Sequence, residues 1–294
     1  MLDTKLYTLL KVAEDRNFTH AAKALNLTQP AVSQHIHALE EELGTKLFVR
    51  TGSRLNLTRE GEKAVAAAKA INALYNNLKY EISESLGGIR ELTIGMTHTV
   101  ESNRISEILA KYAADNGRIL IRIVTGTQSR IRQKLKNYEV DLAIIDGSVN
   151  DDQLETIHLD TDSFVLILSP DHPLASRQSV SLEDIMPEKL ILRLPESGTG
   201  NLFRTALKEI DMDISQFNTI LELDNIATIK DLVRHGYGVS VLAKSACQDD
   251  IIKNRLTALP IDQLTMKREI NIVCAKDYPH SFFLNDIVSL YHES

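Results

Sequence analysis

The stretch THAAKALNLTQPAVSQHIHALEEELG, residues 19–44, predicts two short helices joined by a tight connection. Thr19 is a suitable N-cap for the first helix, and its alanines allow another helix to approach closely. After Asn26-Leu27, Thr28 caps the second helix. Pro30 then occupies the first turn, where a missing N–H costs no hydrogen bond. Two helices with so short a connection form a helix-turn-helix pattern.

The second helix is predicted to have an apolar face and a polar face. At 100° per residue the apolar face carries Val32, Ile36, Leu39 and Leu43. His35 lies at its edge and His37 points outward, so this i, i+2 pair cannot ligate one metal ion as an i, i+4 pair could. The residues expected at the outer face, and as DNA contacts, are Thr28, Gln29, Pro30, Ser33, Gln34 and His37.

A basic hairpin is predicted directly after this helix. LFVRTGSRLNLT, residues 47–58, has strand character on both sides of Thr51-Gly52-Ser53. Arg50 and Arg54 flank the turn, where a wing would place them against the DNA backbone or the minor groove. The alternative for the polar helix face is an ordinary solvated surface. The neighbouring basic hairpin favours binding to double-stranded DNA.

Composition bounds the class of protein. The chain has 294 residues, 43% hydrophobic and 25% charged, which excludes a disordered or fibrous protein and allows two domains. A net charge of -7 argues against indiscriminate coating of nucleic acid. No segment is typical of a membrane span or an export signal. Two cysteines are too few for a disulfide framework, so a cytoplasmic location is expected.

A long helix is predicted from Thr58 to about Leu86, ending at Gly87-Gly88. At 1.5 Å per residue it would be roughly 42 Å long, too long for one small domain to cover. Its natural partner is the same helix of a second subunit, and the alternative is a helix folded back on its own chain. A heptad seam is predicted at Ala64, Ala68, Ile71, Tyr75, Leu78 and Ile82.

Strands and helices alternate in the rest of the chain, beginning with LTIGMT, SNRISEILAKYAADN, ILIRIVT, SRIRQKLKNYEV and DLAII. The pattern continues through FVLILS, KLILRL, NLFRTALKEI, TILEL, ATIKDLVRHG, VSVLA and EINIVCA. Such alternation is typical of parallel strands with crossover helices. One large sheet and two smaller lobes are both compatible with it.

The N-terminal motif resembles that of LysR-type transcriptional regulators. Residues 19–62 match the small-residue helix, the Thr-Gln-Pro-Ala-Val-Ser start of the next helix, its Leu-Glu-Glu ending, the basic wing and Leu57-Thr58-Arg59-Glu60-Gly61. A looser resemblance covers the remaining chain. Relatives often carry arginine where this chain has Gln34 and His37, which suggests weaker phosphate anchoring or a different base preference here.

The resemblance implies an α+β multidomain protein. It would have a winged helix-turn-helix domain (1–58), a linker and dimerisation helix (59–88) and a two-lobed α/β effector domain like a periplasmic binding protein (89–294). Lobe I would comprise about 89–162 and 266–294, and lobe II about 163–265. The implied partners are promoter DNA with two-fold related half-sites, a small-molecule effector, a homodimer or homotetramer, and RNA polymerase. No cofactor or metal is implied.

The same resemblance places an effector between the lobes. Hydroxyls and backbone N–H groups at strand ends favour a small anion. The arginine that often follows Ser-Gly-Thr in relatives is Gly200 here, and His98 is a titratable donor that could replace it. Each hydroxyl has the alternative role of capping a helix. The effector-binding residues predicted in this way are Thr97, His98, Thr99, Thr127, Gln128, Ser197, Gly198, Thr199 and Asn225.

Catalysis finds little support in the sequence. No nucleophile elbow, phosphate loop, His-Glu-x-x-His or Cys-x-x-Cys motif is present. Asp160, Asp162, Asp171 and His172 are interpreted as solvated loop charges. Although the resembled family includes a two-cysteine peroxide sensor, Cys247 and Cys274 are interpreted as buried structural thiols. The rival hypothesis is a solute-binding or enzymatic α/β module with an incidental helical domain.

Overall fold

The computed structural model describes residues 3–52, 54–85, 89–276 and 281–293. The chain divides into two compact units, Met1–Arg90 and Glu91–Ser294. The predicted linker glycines Gly87-Gly88, Leu86 and the turn residue Ser53 lie outside the described residues. The elements of the first unit are α1 (Thr4–Asp15), α2 (Phe18–Ala24), α3 (Gln29–Leu43), β1 (Phe48–Thr51), β2 (Arg54–Leu57) and α4 (Arg59–Ser85).

Side-chain caps fix the ends of the helices in the helix-turn-helix. Asn17 caps α2 by accepting the N–H groups of Thr19 and His20, so the predicted cap at Thr19 is wrong by two residues. Thr28 caps α3 as predicted, accepting the N–H of Ala31 at 3.3 Å. Gly44 ends α3 with φ of 66°, a left-handed conformation that favours glycine.

The first unit has its own apolar core. Leu43, predicted to belong to it, is 54% exposed because the last turn of α3 extends beyond the core. Gly61 lies where a Cβ would stand 2.0 Å from the carbonyl oxygen of Leu47, so only glycine permits α4 to pass so close to the wing. The buried residues of this core are Leu9, Val12, Ala21, Ala22, Val32, Ile36, Leu39, Leu47, Leu55 and Ala68.

The predicted seam of α4 has two different halves. Ala64 and Ala68 pack against the core of their own unit. The prediction that these two residues contact a second subunit is therefore wrong. Beyond them the apolar side chains are exposed. The exposed stripe consists of Ile71, Leu74, Leu78 and Ile82, with Leu74 in place of the predicted Tyr75.

The second unit is a mixed α/β structure. Its N-terminal elements are β3 (Arg90–Thr97), α5 (His98–Glu101), α6 (Ile105–Asn116), β4 (Ile119–Gly126), α7 (Gln128–Lys136), β5 (Leu142–Asp146) and β6 (Leu154–Leu168). They are followed by α8 (Leu182–Ile185), β7 (Leu190–Arg193), α9 (Gly198–Lys208), β8 (Thr219–Leu223), α10 (Ile226–Arg234), β9 (Ser240–Ala243), α11 (Lys244–Ile252), β10 (Thr257–Leu259), β11 (Lys267–Ala275) and α12 (Ser281–Glu293). Short 3-10 helices lie at Pro173–Ser176 and Ile214–Gln216.

One sheet runs in the order β10-β6-β11-β5-β3-β4, with β9 also paired to β6, and β7-β8 form a second sheet. Alternate residues of β5 face opposite sides, as a period of two requires. Leu142 and Ile144 enter an apolar core with α6 and α12, whereas Ala143 and Ile145 enter one with α7. A further core is built largely from residues 164–266. The region around the first two cores is hereafter lobe I, and the region around the third core is lobe II.

Long strands connect the two lobes. β6 pairs with β11 through its first half and with β9 and β10 through its second. These pairs are antiparallel, so the expectation of parallel strands holds for β3-β5 and β7-β8 but is wrong here. β6 is followed by a short 3-10 helix, so the alternation of strand and helix that indicates parallel strands does not identify its pairing.

Two acidic residues of this crossover correct the sequence interpretation. Asp160 and Asp162 lie in β6 rather than in a solvated loop. Asp160 accepts a hydrogen bond from the Tyr291 hydroxyl at 2.8 Å, and buried Asp162 accepts bonds from the N–H and hydroxyl of Ser245. Burial raises the pKa of the Asp162 carboxyl despite these donors.

Candidate functional site

The outward face of α3 presents short polar side chains near the start of the helix. Gln29 and Gln34 are exposed, and Gln29 Nε2 donates to Ser33 Oγ at 2.9 Å. Pro30 lies in the first turn, where the N–H groups of a helix have no intrahelical acceptor. These side chains are available to base edges or phosphates in a major groove.

The two histidines of α3 have different environments. His35 is half-buried and its Nδ1 lies 2.9 Å from Thr8 Oγ1, a contact that ties α3 to α1. His37 is exposed, with Nε2 3.3 Å from Glu41 Oε1 on the next turn. The prediction that His35 lies at the edge of the core and His37 points outward is confirmed, because only His37 shares the outer face with Ser33 and Gln34.

Glu40 connects α3 to the wing. Its Oε1 accepts the N–H of Leu47 at 2.8 Å, and its Oε2 lies 2.6 Å from Lys46 Nζ. Burial opposes ionisation, but Lys46 and the N–H groups of Leu47 and Phe48 outweigh it and lower the pKa of Glu40. This bonding holds the hairpin at a fixed position beside the helix.

The arginines of the wing lie on opposite faces of the hairpin. Arg50 pairs with Leu55 and Arg54 with Thr51, and residues directly opposite each other share a face. Arg50 lines a shallow depression that it shares with Ser33 and His37 of α3. Arg50 thus extends the polar surface of the helix, whereas Arg54 belongs to the other side of the wing.

A cavity of about 350 Å³ lies between lobe I and lobe II. It forms where β3, β4, β5 and β7 end, the usual position of ligand sites in α/β sheets. Seven of the predicted effector residues line it: Thr97, His98, Thr99, Thr127, Gln128, Ser197 and Gly198. Other lining residues are Gly126, Ser129, Asp146, Arg193, Leu194, Glu196, Asn201, Asp224 and Arg268.

Two predicted residues do not line the cavity. Thr199 is buried, and its Oγ1 lies 3.5 Å from Thr99 Oγ1 in a contact between the lobes. Asn225 caps α10, accepting the N–H of Thr228 at 2.9 Å, so the structure places it in the alternative role.

Two of the hydroxyl groups that line the cavity also cap helices. Ser197 Oγ accepts the N–H of Gly200 at 3.0 Å at the start of α9. Thr127 Oγ1 accepts the N–H of Arg130 at 3.4 Å at the start of α7. Thr97 makes no such cap, and its Oγ1 instead accepts the N–H of Asp146. Capping and lining are therefore compatible roles for one side chain.

Arg193 is the main feature that the sequence analysis missed. Arg193 is the last residue of β7, and its side chain is 2% exposed. Its Nη2 donates to Asp224 Oδ1 at 2.8 Å. Nε and Nη1 are buried without a hydrogen-bond partner in the described part of the chain. The available signal was an arginine inside the apolar run LILRL, since a buried guanidinium is rare unless it is paired.

A second guanidinium belongs to an ion pair. Arg268 of β11 donates from Nη1 to Oδ2 of Asp146 at 2.7 Å, and both side chains are largely buried. Arg193 and Arg268 thus bring guanidinium groups to the cavity, although position 200 holds glycine. Gly200 itself has no space for a side chain, because a Cβ would lie 2.3 Å from the carbonyl oxygen of Leu194.

The cysteines lie in separate apolar cores. Cys247 belongs to the lobe II core and Cys274 to a lobe I core. Burial raises the pKa of Cys247 to about 12, and burial together with Glu155 raises that of Cys274 to about 11. Such thiols are poor nucleophiles at neutral pH. No group of three or more potential metal ligands occurs within the described ranges.

Known proteins share both parts of this organisation. Residues 4–62 match the family described as bacterial regulatory helix-turn-helix protein, lysR family, and residues 87–293 match the LysR substrate binding domain. The HTH-type transcriptional regulator CysL of Bacillus subtilis (strain 168) is 28% identical over 269 residues, covering 91% of this chain and 89% of CysL.

Solved structures share the fold. A full-length OxyR variant from Pseudomonas aeruginosa has a TM-score of 0.73 at 22% identity, covering 99% of this chain and 95% of that one. Full-length CbnR complexed with its target DNA has a TM-score of 0.65 at 17% identity, covering 100% and 99%. No helix in the described residues is long and apolar enough to cross a membrane. Since the two family matches together span nearly the whole sequence, the chain belongs to the LysR family of bacterial transcriptional regulators.

Proposed function

We propose that this LysR-type transcription regulator binds a small anionic effector in the cavity between lobe I and lobe II. Arg193 carries the proposal. A buried donor without a partner costs about 1–3 kcal/mol, and a ligand carboxylate would accept a charge-assisted hydrogen bond from Nε or from Nη1. The membership of the family excludes the enzymatic alternative.

The remaining cavity wall suits a small polar ligand. Ser197, Thr97 and Thr99 bring hydroxyl groups, and Gln128 and Asn201 bring amides. The first turn of α9 adds the partial positive charge of a helix N-terminus, which lies in the same cavity as Arg193. An anion at Arg193 would therefore have further donors within the same site.

Effector binding is proposed to act through the relative positions of the lobes. Thr99 and Thr199 already join lobe I to lobe II, and a ligand on both walls would change the balance between open and closed arrangements. Such a change would alter which half-sites an oligomer spans and hence promoter bending or contact with RNA polymerase.

DNA binding is proposed to use α3 and the wing. Thr28, Gln29, Pro30, Ser33, Gln34 and His37 would contact a major groove, with Arg50 and Arg54 on the backbone or minor groove. A homodimer or homotetramer joined through α4 would bind two-fold related half-sites in the cytoplasm. The complex of CbnR with its target DNA, which shares the fold, supports this arrangement.

A panel of small carboxylates and inorganic anions tests the effector site by thermal shift and calorimetry. We expect saturable binding by at least one anion, and a loss of at least tenfold in affinity in Arg193→Gln. Arg177→Gln is the matched control, because Arg177 pairs with Asp184 on the surface of lobe II, away from the cavity. Circular dichroism verifies that Arg193→Gln is folded. Equal affinity in a folded Arg193→Gln would contradict the proposal.

A further inference from the structure

The cavity carries acidic as well as basic side chains. Arg193 and Arg268 face three carboxylates, those of Asp146, Glu196 and Asp224. We propose that the effector is a small amino acid or a similar zwitterion, with one carboxylate and one protonated amine. This inference rests on the anion site proposed above and specifies the class of ligand that the site accepts.

The lobe I side of the wall contributes little net charge. Arg268 and Asp146 form a close pair, 2.7 Å between Nη1 and Oδ2, with side chains 17% and 6% exposed. The charge of buried Asp146 offsets that of Arg268 at the distance of a ligand, whereas Asp224, the partner of Arg193, is 58% exposed and its charge is screened by water. Arg268 is therefore not an anchor for an additional negative group.

Arg193 is left as the anchor for one carboxylate. Nε and Nη1 lack partners among the described residues, while Nη2 is already bonded to Asp224. The two unpartnered nitrogens lie on different edges of the guanidinium, so a ligand carboxylate would accept a charge-assisted hydrogen bond from one of them. A ligand with a second anionic group, such as a phosphate ester, would have to place that group near the remaining acidic side chains.

Two carboxylates offer a site for a cation. Asp224 is 58% exposed, and its Oδ1 accepts a hydrogen bond from Arg193, so its Oδ2 remains available to a ligand. Glu196 is exposed and forms no ion pair with any described residue. Both line the same cavity as Arg193. An ammonium group on the ligand would be attracted to these oxygens, whereas a hydroxyl in its place would lose the charge interaction.

The test uses matched ligands on the full-length protein. The twenty proteinogenic amino acids are screened by thermal shift. Each one that binds is then compared by calorimetry with its 2-hydroxy acid, in which a hydroxyl replaces the ammonium, and with 3-phosphoglycerate, which carries both a carboxylate and a phosphate group. We expect an amino acid to bind at least tenfold more tightly than its hydroxy acid and than 3-phosphoglycerate.

Two variants test which carboxylates cause the preference for an amino acid over its hydroxy acid. The ratio of amino-acid to hydroxy-acid affinity should fall at least threefold in Glu196→Gln and in Asp224→Asn, and stay unchanged in Glu209→Gln. Glu209 is an exposed glutamate at the end of α9, outside the cavity lining. The ratio is the decisive readout, because Asp224→Asn also releases Arg193 and raises affinity for every anion.

The outcomes separate the two proposals. Binding of a hydroxy acid or 3-phosphoglycerate as tight as that of any amino acid, with dependence on Arg193, would overturn the zwitterion and leave the anion site standing. An unchanged ratio in both variants would likewise overturn it. If no anion of either kind bound, the anion site and the inference built on it would both be wrong.

Discussion

A Cβ on Gly198 would lie 2.3 Å from Arg268 Nη1 and 3.2 Å from Asp146 Oδ2. The first residue of α9 therefore packs directly against an ion pair on the opposite wall of the cavity. Arg268 cannot move aside without weakening its bond to Asp146. Glycine at this position sets how closely lobe II approaches lobe I.

Gly198→Ala is expected to weaken effector binding with little loss of stability. The added methyl must displace the Arg268 side chain or separate the lobes, and we expect a loss of about tenfold in affinity for the anion that the panel identifies. Gly200→Ala should behave differently, since its Cβ meets backbone oxygens of Leu194 and Arg193 and should cost about 2–3 kcal/mol of folding free energy. Calorimetry and urea unfolding measure the two effects. Equal destabilisation by both variants would contradict this distinction.

The wing arginines should contribute unequally to DNA binding. Because Arg50 shares a depression with Ser33 and His37, Arg50→Ala should lower affinity about tenfold for all sequences and reduce the salt slope by about one. Arg54→Ala, on the other hairpin face, should have a smaller effect, and the double variant should lose sequence-dependent binding altogether. Fluorescence anisotropy with the DNA upstream of its own coding region measures this.

Lys11→Ala is the control for that experiment. Lys11 lies on α1 and pairs with Glu14 and Asp15, so its removal changes the net charge without touching the α3 face. Wild-type binding equal to that for random DNA at every salt concentration would refute the α3 interface. A larger effect of Arg54→Ala than of Arg50→Ala would refute the assignment of the two hairpin faces.

The sequence predicted those features that depend on contacts between residues close together in the chain. The helix-turn-helix follows from apolar spacing and the Thr28 cap within residues 19–44, whereas the hydroxyls of the cavity were expected from the family resemblance. Arg193 and Asp224, and Arg268 and Asp146, are brought together across 31 and 122 residues. No periodicity encodes such pairs. The first half of β6 and its antiparallel pairing were not predicted, because this half is partly polar and resembles a loop, whereas the second half corresponds to the predicted strand FVLILS.

The exposed stripe on α4 should control oligomerisation. Leu74 is 62% exposed and Leu78 51%, a costly arrangement for a lone helix in water. Leu74→Lys with Leu78→Lys should shift the protein to a monomer in light scattering, since two charges would have to be buried in a helix pair. Asn76→Lys is the control on the opposite side of α4. An unchanged mass of the double variant would show that subunits associate elsewhere.

Glu40 should stabilise the first unit in a pH-dependent way. A lowered pKa in the folded state stabilises that state above the unfolded value of 4.5, and this stabilisation disappears as pH falls through the folded pKa. Glu40→Gln should therefore cost about 1–2 kcal/mol at pH 7, with a smaller difference from wild type below pH 4.5. Urea unfolding across this range measures it. Exposed Glu41→Gln should change stability by less than about 0.5 kcal/mol, and an equal loss at pH 7 and pH 3.5 for Glu40→Gln would contradict the ionic cause.

Cys247 and Cys274 should be inert while the protein is folded. With a pKa of about 12, the Cys247 thiolate is only about one ten-thousandth of the total at pH 8, and the Cys274 thiolate, with a pKa of about 11, is about one thousandth. Both should resist Ellman's reagent at pH 8 in the native protein and react fully in guanidinium chloride. Glu209→Cys, at an exposed position, serves as the reactive control. Rapid native labelling of either natural cysteine, or a bond between them after peroxide treatment, would mean that the two cores open enough to support redox chemistry.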